Sequence, residues 1–121
     1  MKGTIPVLRL GDILLVTVHI DLEDDIAHVL QNDLLVAIEK HGSRGLLIDI
    51  SGLDMVDSYV ARVLAETGQM AKLMGAVTVL VGMRPEVAAT LVRMGYAMGG
   101  IRAALDVEDG LALLGYQLRP V

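Results

Sequence analysis

Apolar positions along the chain follow two periods in turn. "IPVLRLGDILLVTVHI", residues 5–20, is rich in aliphatic and β-branched residues and is interrupted at Gly11-Asp12, a hairpin-type signal. It reads as two short strands. "DLEDDIAHVLQNDLLVAIEKHG", residues 21–42, changes to helical spacing. Ile26, Val29, Leu30, Leu34, Ala37 and Ile38 fall on one face. Asp21, Glu23, Asp24 and Asp25 crowd the first turn, where the helix dipole favours acids, and Gly42 stands just past the end. Leu35 and Val36 lie off the apolar face. The second half of this helix is therefore apolar nearly all round, which suits deep burial or a partner.

The alternation continues. "RGLLIDI" reads as a buried central strand. "DSYVARVLAETGQMAKLMG" reads as a second long helix. Its inward stripe is Val60, Val63, Leu64, Thr67, Met70, Ala71 and Met74, and its wet stripe is Ser58, Arg62, Glu66 and Gln69. "AVTVLVGM" is another buried strand. Arg84-Pro85-Glu86 opens a third helix, with Pro85 at the first helical position and Gly95 as the stop. A short strand near "GGIRAAL" follows, and Asp106 caps a last helix, "VEDGLALLGY". This order predicts an α/β fold: a mostly parallel β-sheet with an N-terminal antiparallel strand and about four helices. Sites in such sheets collect at the carboxyl ends of strands, and the loop "SGLDMVD" lies at one of them.

Composition narrows the possible chemistry. The 121 residues suit one domain spanning 1–121. The absence of cysteine excludes disulfides, thiolate metal sites and cysteine nucleophiles. A net charge of -5 and the lack of a basic run disfavour nucleic acid. The apolar fraction is 54%, yet no run approaches the roughly 20 residues of a membrane helix. The opening "MKGTIPVLRLGD" has no apolar core followed by a cleavage site, so a signal peptide is not expected. Surplus apolar residues without a membrane span point to an oligomer or a shared interface.

The residue that stands out is Ser58, between Asp57 and Tyr59 at the start of the second helix. Two readings stay open. It marks a helix start at which Asp57 or Ser58 bonds an early backbone N–H. Alternatively it accepts a phosphoryl group, which adds about -1.5 to -2 charges at pH 7 beside free N–H groups and the positive dipole end. Arg62, one turn on, could pair with that phosphate, whereas Asp54 and Asp57 would repel it. Asp49 ends an apolar strand and is read as bonding loop N–H groups, with Gly52 in the turn beyond. Asp49 and Asp57 as a magnesium pair lack a phosphate loop in support. His19, His28 and His41 follow no ligand spacing, so neither a metal nor a cofactor is expected. Ser58 lacks the flanking glycines of a hydrolase nucleophile.

Taken together, "LLIDISGLDMVDSYVARVL", "AVTVLVGM", "LVRMGY" and "VEDGLALL" resemble the STAS domain, the anti-sigma-factor-antagonist family. Within it, "DISGLDMVDSYVAR" is most similar to the small single-domain stressosome scaffolds of RsbS type. The resemblance implies a non-enzymatic, cytoplasmic phosphoprotein of stress-response signal transduction. Ser58 would accept phosphate from a GHKL-type serine kinase. The switch loop, formed by Asp54, Asp57, Ser58, Tyr59 and Arg62, would meet that kinase, and Asp49 and Gly52 would shape it. Phosphorylation would release the kinase and a phosphatase would reverse it. The chain would associate with itself and with STAS-containing co-scaffolds that carry a sensory domain. The alternatives are a free anti-anti-sigma factor that binds an anti-sigma kinase, and a small α/β nucleotide-binding enzyme. No phosphate loop, aromatic cluster or nucleophile–base pair supports the enzyme.

Overall fold

The computed structural model describes residues 5–18, 24–93 and 101–116. β1 (Val7–Leu10) and β2 (Ile13–Thr17) form the antiparallel hairpin, with Leu10 opposite Ile13. Its two-residue turn needs a left-handed backbone at its first position, and Gly11 supplies it with φ 60°. Then come α1 (Asp24–His41), β3 (Gly45–Asp49), α2 (Ser58–Leu73), β4 (Val77–Val81), α3 (Pro85–Arg93), β5 (Ile101–Ala104) and α4 (Val107–Leu113). The sheet order is β1-β2-β3-β4-β5, and every pair after the hairpin is parallel.

That order dictates the layers. From β2 onward each strand lies beside its predecessor in the chain, so the sheet grows in one direction. Crossovers of one hand then place α1, α2 and α3 on the same face. Leu14, Val16, Leu46, Ile48 and Leu80 point to that face. They share a core with Leu30, Leu34 and Ile38 of α1, Val60, Val63 and Leu64 of α2, and Val87 and Leu91 of α3. Alternate strand residues point the other way. Ile13, Leu47, Val79 and Val81 form a smaller core with Leu111 and Leu114. α4 follows β5 and folds back over this second face. It lies close: a Cβ at Gly110 would stand 2.4 Å from a methyl of Leu47 and 2.8 Å from one of Val81. Pro6, just before β1, and Leu8, Leu15 and Thr17 line an open, mostly apolar groove over the hairpin.

The structure changes several details of the sequence pattern. Met70 and Met74 are not inward; each is 42% exposed, and Ala61, Ala65 and Gly68 are buried instead. The small residues let α2 sit close to its neighbours, which turns the methionines outward. On α1, Ala27 is buried and Val29 and Val36 are exposed. The apolar C-terminal half of α1 is thus only partly covered. Gln31 on its flank reaches α2 instead, with Nε2 donating to Thr67 Oγ1 at 3.1 Å and to Val63 O at 3.3 Å. The capping of α4 is as the sequence predicts, with Asp106 Oδ1 accepting from Asp109 N at 2.8 Å. His19, Asp21, Glu23 and the Gly95 stop lie outside the described residues.

Candidate functional site

The loop between β3 and α2 is built from alternating anchors and exposed residues. Ile50 N donates to Val81 O at 3.0 Å, and Leu53 N turns back to Ile50 O at 3.0 Å. Ile50, Leu53 and Val56 are buried in the larger core. Each anchors the backbone, so the residues between them are lifted towards solvent. Ser51, Asp54 and Met55 are exposed and Gly52 is half-buried. Asp49 ends β3, and its Oδ1 accepts from Ser51 N at 2.9 Å. A carboxylate that bonds the N–H two residues on folds the chain into a tight turn.

The helix start is divided between two residues. Asp57 has an extended backbone, φ -81° and ψ 174°, and its Oδ1 accepts from Val60 N at 2.8 Å. It is the N-cap of α2, satisfying one of the helix's orphan donors. Ser58 is the first residue of the helix proper and is exposed. Tyr59 is half-buried and packs on the larger core. Arg62, one turn on, holds its guanidinium 5.4 Å from the centre of the Tyr59 ring. This is a cation–π stack on the exposed side of the helix.

Two residues from the next connection complete the site, and the sequence pattern did not single them out. Gly82 directly follows β4, with φ 74°. A Cβ there would stand 2.7 Å from Ser51 Cβ and 3.0 Å from Asp49 Oδ1. Arg84 lies across the loop. Its Nε donates to Ser51 O at 3.0 Å, and its Nη1 lies 3.3 Å from Asp54 Oδ1. Nothing in the spacing of one strand against the next announces these contacts. They follow from β3 and β4 being parallel neighbours, so that their carboxyl-end connections abut. The glycine that interrupts "VLVGMR" was the available signal.

One continuous segment, from Asp49 to Arg62, thus carries all the sequence-predicted site residues. It presents an exposed serine at the positive end of a helix, beside Asp49 and Asp57, whose carboxylates are turned onto backbone donors. Asp49 and Asp57 each bond an N–H of the loop or helix, an arrangement that shapes backbone. Among the described residues, no group of three or more His, Asp or Glu gathers as a metal site.

The strand order, the loop and the helix start point to one family, and the family model of the STAS domain matches residues 4–108. The chain belongs to the STAS-domain family. Over 98 residues, this STAS chain is 33% identical to the RsbT co-antagonist protein RsbRA of Bacillus subtilis (strain 168). The match covers 73% of this chain and 36% of that relative, so the chain spans about a third of its length. Among solved structures it is similar to RsbS S58E of Moorella thermoacetica. The TM-score is 0.82 at 37% identity, over 92% of this chain and 94% of that one. A chain from the molecular architecture of the stressosome, a signal integration and transduction hub, matches with a TM-score of 0.76 at 37% identity, over 91% and 96%. The STAS fold and the likeness to RsbS are therefore plain. Among the described residues, no helix is long and apolar enough to cross a membrane.

Proposed function

We propose that this STAS chain is a non-enzymatic scaffold and antagonist in a stressosome-type assembly, switched by phosphorylation of Ser58. The observation that carries the reading is the division of labour at the start of α2. Asp57 caps the helix, and Ser58, an exposed residue, follows it at the positive helix end. The similarity to an RsbT co-antagonist and to RsbS supports the same reading.

In this reading the unmodified loop holds a GHKL-type serine kinase, the switch kinase. The kinase transfers phosphate from ATP. Ser58 Oγ attacks the γ-phosphorus, the new O–P bond forms as the bond to the β,γ-bridging oxygen breaks, and ADP leaves. The hydroxyl proton passes to the kinase's base. The product places about -1.5 to -2 charges where Asp54 and Asp57 already stand, so the face the kinase held becomes repulsive. Release of the kinase follows, and a phosphatase resets the loop. The chain acts in the cytoplasm together with co-scaffolds that carry a sensory domain.

Phosphosite mapping tests this. Wild type and Ser58→Ala are incubated with ATP and the serine kinase of the same source, then mapped by mass spectrometry. Phosphate on Ser58 alone, lost in the variant, is the expected result. An unmodified wild type, beside a control substrate that the same kinase does modify, would return Ser58 to a structural helix-start residue.

A further inference from the structure

We propose that Arg84 is a positioning residue of the phosphoacceptor loop, gripping it from the neighbouring β4–α3 connection so that a kinase meets it in one shape. The inference rests on the switch reading above for its consequence, but on geometry alone for the grip.

The loop has three apolar anchors, Ile50, Leu53 and Val56, and between the last two the chain bulges outward with Asp54 and Met55 exposed. Apolar anchors fix where a chain enters the core, but they do not orient a polar bulge between them. Two groups on this side of the loop meet Arg84: the carbonyl of Ser51 and the carboxylate of Asp54. They are three residues apart and are taken by different nitrogens of one guanidinium. That planar fork fixes direction as well as distance, which a lysine ammonium does not do. The approach also depends on Gly82. With any side chain there, Ser51, whose carbonyl Arg84 grips, would be displaced.

Stability is not what the contact supplies. Side-chain exposure is 50% for Arg84 and 75% for Asp54, and ion pairs so exposed contribute little to folding. What the grip does is restrict the loop and offset one of the acidic charges on the segment that leads to Ser58. A kinase that binds the loop finds it already ordered and pays less of the ordering entropy on binding. Removing the grip should therefore weaken recognition and leave the chemical step alone.

The test has two arms on Arg84→Ala, Arg84→Lys and wild type, all checked by thermal melting. The first arm is amide hydrogen exchange of the free protein. Loop amides 52–56 should exchange roughly fivefold faster in Arg84→Ala, with the strands unchanged. The second is steady-state phosphorylation by the serine kinase. KM for the scaffold should rise about tenfold in Arg84→Ala, equivalent to ~1.4 kcal/mol, with kcat kept. Arg84→Lys should recover only part of either effect. Unchanged loop exchange in a folded Arg84→Ala overturns the grip. Faster exchange with an unchanged KM overturns its part in recognition, and full recovery by lysine overturns the two-point fork. If wild type takes no phosphate on Ser58, the switch reading and the recognition half fail together, while the exchange arm still decides the grip.

Discussion

Two arginines clamp opposite ends of the sheet. At the amino end, Arg44 precedes β3. Its Nε lies 2.5 Å from Asp12 Oδ2 in the hairpin turn, and its Nη1 donates to Leu114 O at the end of α4. At the carboxyl end, Arg84 follows β4 and takes a carbonyl and a carboxylate of one loop. The chemistry is the same, but the settings differ. Arg44 joins three separate segments over a packed region, where Gly45 lies against Leu114 and Ser43 and Ala76 are buried. It also meets the negative end of a helix, where a cation is favoured. Arg84 holds one exposed loop over solvent. One end ties three segments together over packed residues, and the other shapes a single exposed loop.

Substitutions at the two ends test that contrast. Gly110→Ala should have the largest effect. It pushes a methyl into Leu47 and Val81 beneath α4 and should cost ~2 kcal/mol by urea denaturation, with the seat of Leu114 loosened. Gly82→Ala attacks the open end. A left-handed φ and a close approach to Ser51 should cost ~1–2 kcal/mol and lower the proposed phosphorylation of Ser58 even in the folded fraction. Asp57→Ala removes the α2 cap and should cost ~1 kcal/mol in the same denaturation assay. Ser58→Ala leaves that cap in place and should cost under ~0.5 kcal/mol. Equal losses for these two would mean that serine shares the capping. The most direct pair is Arg44→Ala against Arg84→Ala. The first should lower the denaturation free energy by ~1 kcal/mol, because a charged donor leaves a helix end. The second should lower it by less than ~0.5 kcal/mol, because its ion pair is exposed. A larger loss from Arg84→Ala than from Arg44→Ala would reverse the assignment of the two ends.

The elements and their order were legible in the chain alone. Period-2 and helical spacing, Gly11-Asp12, Pro85 and Asp106 are local signals, and each acts within a few residues of itself. The loop was legible for the same reason: Asp49, Asp57 and Ser58 mark a strand end and a helix start. Local chemistry left open whether Asp57 or Ser58 was the cap, because either side chain can reach an early N–H. The backbone conformation at Asp57 decided it. Nor did spacing alone place Met70 and Met74, since a helical stripe is wider than the surface its neighbours cover. The contacts that shape the site arise from packing between segments distant in the chain. Gly82 and Arg84 reach Ser51 and Asp54 from more than 25 residues away. That meeting exists because β4 pairs in parallel with β3, and pairing between distant strands is a property of the packed sheet, which no stretch of chain encodes alone.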